Sequence, residues 1–446
     1  MTQTATDHPQ DDLSHRRVLT IAIPIVLSNA TVPILGAVDT GVVGQMGQAV
    51  PIGAVAMGAI ILTSIYWIFG FLRMGTVGLT SQAKGAGDSA EVSALLSRVL
   101  MIGFVAGLLI LLFQAALFTA YFYISPASAE VEDLSRDYLA IRVWSAPAAI
   151  ALYGINGWLI ALEKTKSVLV LQLWMNGLNI VLDLVFVLNL GWGVQGVAIA
   201  TFLAEWSGLI LGLYLCRSAF VGPAWRDVAR VFDVARLRVM ALVNSDILIR
   251  SLLLQAMFVS FLFWGAKLGD VTLAANEVLM QFLHITAYAL DGFAFAAETL
   301  IGQAMGARRP GLLRRSAIIT SQWGIVLCLA LSAVFWVIGP WMIDVMATSA
   351  EVREHGRIYL IYMILAPIFG CAAWMLDGIF IGATRTRDMR NMMIISAVIY
   401  FGIAPILMLY WGNHGLWIAL LISFVVRGAT LGLRYRALEN AALRPV

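Results

Sequence analysis

Apolar positions along this chain occur in long continuous runs, from Val18 to Leu433, separated by short polar segments. A membrane-spanning helix needs about 20 such residues. A membrane-spanning β-strand needs only about 10 residues of alternating character, and that alternation is missing here. The pattern therefore predicts an all-α integral membrane protein.

We predict about twelve spans by the hydropathy criterion. They cover residues 18–40, 52–80, 95–119, 138–161, 167–189, 194–215, 240–265, 272–303, 316–338, 358–383, 391–411 and 415–434. Polar segments at 1–17 and 435–446 flank them, and we interpret both as cytoplasmic tails. The first tail lacks the order of basic region, apolar core and small-residue site that is typical of a signal peptide.

The chain repeats itself after a shift of 221 residues. "LTSQAKGAGD" at 79–88 aligns with "LIGQAMGARR" at 300–309, and "GINGWLIALEKTKS" at 154–167 aligns with "MLDGIFIGATRTRD" at 375–388. The chain is therefore a duplication of a six-helix half. Because six is an even number, both halves enter the membrane from the same side, and the repeat is parallel.

The repeat divides the chain into an N-lobe at 18–215 (spans 1–6), a linker at 216–239 and a C-lobe at 240–434 (spans 7–12). Two such lobes around a central crevice are the general plan of a secondary transporter. In the linker, the spacing of Val228, Val231, Phe232 and Ala235 predicts an amphipathic surface helix.

Basic residues are concentrated in alternate loops. One set contains Lys84, Lys164, Lys166, the linker and the segments 308–315 and 385–390, whereas the loop "GQMGQAVP" has no basic residue. By the positive-inside rule, we expect a multi-pass protein of the inner membrane with both termini in the cytoplasm. The net charge of +3 comes from these short loops, so we expect no nucleic-acid partner.

Composition excludes several other classes. Hydrophobic residues make up 61% of the chain and charged residues 12%. The three cysteines, Cys216, Cys328 and Cys371, are far apart and predict neither a disulfide framework nor a zinc site. HExxH does not occur and no pair of histidines lies within the spans, so we expect no enzyme, no cofactor and no bound metal.

Asp39 lies in an otherwise uncharged stretch of the first span. In the fifth span, Gln172, Asn176, Asn179 and Asp183 follow steps of four, three and four, so they share one helix face. Such a face must turn away from lipid. Asn156 and Thr201, on the fourth and sixth spans, are possible partners.

Two readings of these polar groups remain open. They could only join helices by hydrogen bonds, which are worth about 0.6 kcal/mol each in membranes. However, an ionised acid at mid-membrane costs about 3 kcal/mol, and such acids persist mainly where protons or cations are handled. We favour proton coupling, with Asp39 and Asp183 acting together. A sodium ion at Asp39, Asn179 and Asp183 is the alternative, since carboxylate and amide oxygens are hard ligands.

The second half carries a different polar set. The eighth span has a seam of Glu277, Gln281, His284, Tyr288, Asp291 and Glu298. Asp246 and Arg250 are one turn apart on the seventh span, and Asp377 is on the tenth. The middle of the seventh span has no acid, so we interpret these residues as a neutralised structural network. Arg73 and Arg427 lie toward the inner portions of their helices, from which long basic side chains can extend to the membrane surface.

The stretch "IPIVLSNATVPILGAVDTGVVGQMG", with Pro24 and Asp39, resembles the multidrug and toxic compound extrusion (MATE) family. So do "GLTSQAKGAGD" and "NGLNIVLDLVFVLNLGWGVQGVAIAT", while "NSDILIRSLLLQ" and "DGFAFAAETLIGQAMGA" favour its DinF-type branch. The resemblance implies a secondary active antiporter that exchanges H⁺ or Na⁺ for organic, often cationic or amphipathic, compounds. It implies a cation site on Asp39, Asn179 and Asp183, and bending of the first helix at Pro24.

Two other transporter classes are alternatives. A major facilitator transporter also has two parallel six-helix halves, but its acidic and basic loop signature after the second span is missing. A flippase for lipid-linked sugars or cell-wall precursors needs several cavity cations, and only Arg73 and Arg250 are candidates. We therefore expect small organic substrates, a lipid bilayer as surroundings and a monomer.

Overall fold

The computed structural model describes residues 13–45, 49–124 and 128–442, and these residues contain helices and no strands. The helices are α1 His15–Gly44, α2 Ala49–Trp67, α3 Gly70–Gly85, α4 Ser89–Ile124, α5 Ala129–Arg142, α6 Ala146–Ala161, α7 Thr165–Asp183, α8 Gly193–Leu215, α9 Val228–Val231, α10 Val234–Ala266, α11 Asp270–Gly306, α12 Pro310–Met346, α13 Ala350–Gly382 and α14 Thr386–Ala441.

These helices account for the twelve predicted spans. Ten segments of the described residues are long and apolar enough to cross a membrane, and the last, Thr386–Ala441, is counted once. It contains two helices, because the backbone of Gly412 is non-helical (φ 55°, ψ −133°). With α1, which covers the first predicted span in 30 residues, the total is twelve. Both predicted tails are partly helical, since α1 begins at His15 and α14 extends to Ala441.

The chain forms two compact units. One contains the chain through Val26 and from Leu253 onward, and the other contains Leu27–Leu252. The divisions fall inside α1 and α10, and the linker belongs to the second unit. The lobes at 18–215 and 240–434 remain a prediction from the repeat.

The linker differs from the single amphipathic helix that its spacing predicts. Helix α9 has only four residues, and the Asp227 side chain caps its start. Asp233 then accepts a hydrogen bond from the Arg236 amide at 3.1 Å. Because an acidic side chain that binds a free amide begins a helix, Asp233 starts α10 within the predicted linker.

The backbone repeats at the same interval as the sequence. Positive φ angles occur in three pairs that are 221 residues apart: Gly87 (76°) and Arg308 (54°), Glu163 (61°) and Thr384 (51°), Gly191 (68°) and Gly412 (55°). Lys164 and Arg385, one residue after the second pair, both have φ −85° and ψ 45°. The duplication therefore preserves the turns at the ends of the spans.

Two equivalent glycines mark close helix contacts in the two halves. A Cβ atom on Gly157 would lie 2.5 Å from the Arg73 carbonyl oxygen, and one on Gly378 would lie 2.7 Å from that of Ala294. Both pairs are again 221 residues apart. Small residues at such points let membrane helices approach closely, as α3 and α6 do in the first half.

We expect Gly157→Ala to lower the unfolding temperature in detergent, because the added methyl group meets backbone rather than a flexible side chain. Overpacking of this kind costs about 1–3 kcal/mol. Gly177→Ala on α7 is the matched control, since a Cβ there meets no atom within 4 Å. Equal unfolding temperatures for the two variants would contradict the close packing of α3 on α6.

Helix irregularities are concentrated in the first half. A turn at Ile68–Phe69 separates α2 from α3, a 3₁₀ turn at Val143–Ser145 separates α5 from α6, and a π-helix at Leu184–Asn189 follows α7. The positions 221 residues later lie inside α11, α13 and α14, which are continuous there. Because π and 3₁₀ segments inside helices often accompany functional sites, these breaks direct attention to the first half.

Candidate ion-coupling site

The polar stripe of α7 faces the interior of its unit. Asn176, Asn179 and Asp183 are 6%, 1% and 0% exposed. The opposite face carries exposed apolar side chains, at Val170, Leu173, Trp174 and Val181. The distribution is the reverse of that on a helix of a water-soluble protein, as expected for a span whose outer face contacts lipid.

Hydrogen bonds link this stripe to α1 and α8. Asn176 donates to the Thr31 hydroxyl at 2.8 Å and accepts from Gln172 at 3.0 Å. Asn179 donates to the Thr201 hydroxyl at 3.2 Å, and Thr201 donates in turn to the Val197 carbonyl at 3.1 Å. Of the predicted partners, Thr201 is therefore joined to the stripe.

Three amide oxygens in this unit are buried and accept no hydrogen bond from the described residues. They are Oδ1 of Asn179, of Asn156 on α6 and of Asn244 on α10. A buried acceptor without a donor costs about 1–3 kcal/mol. Such oxygens are suited to receive a hydrogen bond from a protonated carboxyl group or to coordinate a cation.

Asp183 is the last residue of α7, and the π-helix Leu184–Asn189 begins directly after it. The change of helix type widens the backbone spiral where the acid is located. An acid at a helix break has carbonyl groups nearby that are not fully used by the helix, an arrangement by which transporters hold small cations.

The two remaining predicted site residues of the N-lobe, Asp39 and Pro24, lie on α1. The structure places Asp39 on this helix, but the side chain of Asp39 lies outside the described part of the chain. Pro24 lies within the same helix, and the boundary between the compact units follows it at Val26–Leu27.

A buried ion pair joins the α5–α6 break to α8. Arg142 donates to both carboxylate oxygens of Glu205, at 2.7 and 2.8 Å, and to the Ser145 hydroxyl at 2.5 Å. The side chains of Arg142 and Glu205 are only 12% and 14% exposed. This two-point geometry is the strong form of an arginine–carboxylate interaction.

Glu205 is one helical turn after Thr201 on α8, so both side chains project from the same face of that helix. The ion pair is therefore adjacent, along α8, to the residue that binds Asn179. The α7 stripe and the Arg142–Glu205 pair form two neighbouring polar layers within one unit.

Sequence reasoning missed this pair, although a signal was present. Glu205 is the only charged residue between Asp183 and Arg217. Asp39 attracted attention because it is the only charged residue in a long apolar stretch, and the same criterion identifies Glu205. Arg142 was harder to find, because it follows an acidic loop and could be taken as part of it.

The second-half polar residues differ in their surroundings. On α11, Glu277, Gln281, His284 and Tyr288 are exposed on the surface of their unit, and Glu298 is buried. On α10, Asp246 and Arg250 are both 7% exposed. Asp291 is half-buried. That these residues form one neutralised structural network remains a prediction.

Arg427 does not extend to the membrane surface, so this expectation is wrong. Its side chain is 2% exposed, lies over the Phe424 ring at 5.8 Å and faces Asp377 of α13 at 3.8 Å. Asp377 is itself buried. The packing of α14 on α13 gives the cation a partner inside the protein, which a single helix does not offer.

Among the described residues, no group of three or more His, Cys, Asp and Glu side chains could hold a metal ion. The amide and hydroxyl oxygens of Asn176, Asn179 and Thr201 suit a proton or an alkali cation better than a transition metal, because they are hard and neutral ligands.

Comparison with known proteins decides the family. The MatE family model matches residues 24–185 and 247–406, which is most of the chain and one segment in each half. The chain belongs to the MatE family. It is accordingly a multi-pass membrane transporter and not an enzyme.

Individual relatives agree with this assignment. The chain is 38% identical to the DNA damage-inducible protein F of Escherichia coli over 93% of this chain and 91% of that protein. It is 26% identical to a probable multidrug resistance protein NorM of Xanthomonas campestris, over 93% and 92%. Among solved structures, a MATE protein in the bent conformation is similar with a TM-score of 0.85 at 19% identity, covering 96% of this chain and 97% of that one.

These findings confirm the resemblance, the DinF-like character and the MATE-like fold of two six-helix halves. The structural similarity shows the fold alone. The coupling ion and the roles of individual residues remain predictions.

Proposed function

We propose that this MatE family member is a secondary active multidrug efflux antiporter, exchanging H⁺ for organic, often cationic or amphipathic, compounds. The observation that carries the proposal is the placement of Asp183. It is fully buried on the polar face of α7, next to a π-helix and in the same unit as the buried amide oxygens of Asn179 and Asn156, which accept no hydrogen bond from the described residues.

The coupling group of an antiporter must change its charge or its ligand between two states. A buried carboxyl group does so by taking up and releasing a proton. In the proposed mechanism Asp183 and Asp39 bind the proton together. The side-chain oxygens of Asn179 and Asn156 accept a hydrogen bond from the protonated carboxyl group or coordinate a cation. Asn176 and Thr201 hold the polar face of α7 in place through their hydrogen bonds. Substrate and ion then favour opposite states, so that each is exchanged for the other.

Pro24 is the proposed hinge of this cycle. A proline within a helix removes one backbone hydrogen bond and permits bending. The unit boundary two residues later in α1 supports this role.

Purified protein in liposomes tests the function. With an imposed pH gradient, we expect movement of fluorescent organic cations that collapses when the gradient is dissipated. A Na⁺ gradient at equal pH is the second arm, and movement in that arm alone would replace H⁺ by Na⁺ at Asp39, Asn179 and Asp183. No gradient-dependent movement of any compound would contradict antiport.

The flippase alternative requires free cations for phosphate groups. Arg142 on α5 is a further buried cation, but its guanidinium donates hydrogen bonds to both carboxylate oxygens of Glu205. This neutralisation favours organic cations over phosphorylated substrates.

For topology, we propose an inner-membrane monomer with both termini in the cytoplasm. Single cysteines at Ser128 and Thr348 should react with an impermeant thiol reagent added outside intact cells, whereas those at Ala229 and Gly311 should react only after lysis. All four positions are exposed, and the native cysteines are buried, so background labelling is low. Labelling of Ala229→Cys in intact cells would contradict the arrangement.

A further inference from the structure

Two adjoining cavities lie between the beginning of α4 and the linker. The larger, of about 780 Å³, is lined by apolar side chains that include Met101, Val105, Leu109 and Phe232. The smaller, of about 300 Å³, continues from Met101 towards Phe220, Trp225 and Arg226. Together they form a groove, named here the α4–linker groove, that is apolar along α4 and has one guanidinium at its linker end.

The apolar end of the groove is continuous with a surface that faces hydrocarbon. Helix α4 exposes Val105, Leu108, Leu109, Leu112 and Phe113, which follow steps of three, one, three and one and so form one face. On a membrane span such a face contacts lipid chains. Val105 and Leu109 belong both to this face and to the groove, so an acyl chain in the bilayer has direct access to the groove.

The linker wall of the groove is fixed in place. The buried Arg98 guanidinium donates to the carbonyl oxygens of Val231 and Arg230 at 2.9 and 2.6 Å, and Ser97 donates to that of Trp225 at 2.6 Å. Because α4 holds the linker backbone at three points, the groove is a formed cavity and not a gap that closes when empty.

Acidic residues near the linker are already used by other arginines. Glu91 pairs with Arg98 and Arg236, and Arg230 lies 3.3 Å from Asp88. Partial burial raises the pKa of Asp88, but the hydrogen bond from the Glu91 amide and the charges of Arg230 and Arg236 outweigh it and lower that pKa overall. Both acids are therefore paired with arginines other than Arg226.

Arg226 is different. It is exposed, and within the described residues its side chain makes no ion pair. It lines the smaller cavity next to the Trp225 indole. Basic and tryptophan side chains together at the end of a span are typical of the headgroup region, where each basic residue contributes about 1 kcal/mol to binding of anionic lipid.

We propose that the α4–linker groove is a binding site for an anionic phospholipid, with an acyl chain along Met101, Val105 and Leu109 and the phosphate at Arg226. The proposal does not depend on the coupling mechanism, because none of these residues belongs to the α7 stripe. It adds a lipid ligand for the segment that connects the two sequence repeats.

Native mass spectrometry of the purified protein with phosphatidylglycerol tests the site. We expect the wild-type protein to retain phosphatidylglycerol in preference to phosphatidylcholine. Arg226→Gln should weaken retention about fivefold, the equivalent of about 1 kcal/mol. Arg226→Lys, which keeps the charge, should retain the preference. Lys267→Gln, at an exposed position after the far end of α10, is the control and should change nothing.

A second pair of variants tests the acyl-chain half. Val105→Trp fills the groove and should reduce phosphatidylglycerol retention several-fold, whereas Leu112→Trp, on the same face but outside the groove lining, should not. Inorganic phosphate added in excess should not displace the lipid, since it has no chain. Equal retention by the wild-type protein and Arg226→Gln, or no effect of Val105→Trp, would overturn the proposal, as would equal binding of phosphatidylcholine.

Discussion

Asp183→Asn will abolish gradient-driven transport while leaving the protein folded. The substitution keeps the volume of the side chain and mimics its protonated form, so the buried face of α7 stays packed. It removes the ability to gain and lose a proton at a position with no exposure to solvent. A loss of at least about 100-fold in efflux rate is expected, because in the proposed cycle the ion binds at Asp183 together with Asp39.

Asp39→Asn should have nearly the same effect, and the double variant should be little worse than either single one. Residues that act as one unit are not additive. Efflux from whole cells, with expression checked, measures substrate transport. Substrate-induced proton release from the purified protein in detergent measures the coupled release of the ion.

Asp137→Asn is the matched control for these variants. Asp137 is an exposed acid on α5, so its replacement should leave transport unchanged. Normal efflux from well-expressed Asp183→Asn protein would end the proposed mechanism. Loss of folding in that variant, in contrast, would show that the acid is chiefly structural.

Arg142→Ala will destabilise the protein more than any other single change to an ion pair described above. It leaves the Glu205 carboxylate buried without its two-point partner, and breaking a buried pair in this way costs about 3–5 kcal/mol. We expect a low yield and an unfolding temperature in detergent well below that of the wild-type protein. Removing both charges in Arg142→Met/Glu205→Met should restore most of the loss, since no uncompensated charge remains.

Arg136→Ala provides a control on the same helix. Arg136 also pairs with a glutamate, Glu132 at 2.6 Å, but the two side chains are 43% and 29% exposed. Exposed pairs one turn apart contribute about 0.3–0.5 kcal/mol. An equally small effect of Arg142→Ala would show that the Arg142–Glu205 pair is open to water and not part of the buried site.

The local sequence was sufficient to predict the membrane spans, the internal repeat and the polar face of α7. Apolar runs predict helices because lipid satisfies no backbone groups, so any chain at that depth must satisfy them internally. The steps of four, three and four from Gln172 to Asp183 place these residues on one side of α7, since helical periodicity alone fixes a face. The turns at Glu163 and Thr384 are equivalent because the same short motifs encode them.

Tertiary structure decided which faces meet. Arg142 and Glu205 are 63 residues apart and find each other only because the 3₁₀ turn at Val143–Ser145 and the packing of α5 on α8 bring them together. For the same reason Arg427 faces Asp377 inside the protein instead of reaching the surface. The periodicity of each helix determines which polar residues share a face that must be shielded from lipid. Which residue lies opposite depends on how helices distant in sequence pack, and no local pattern specifies that.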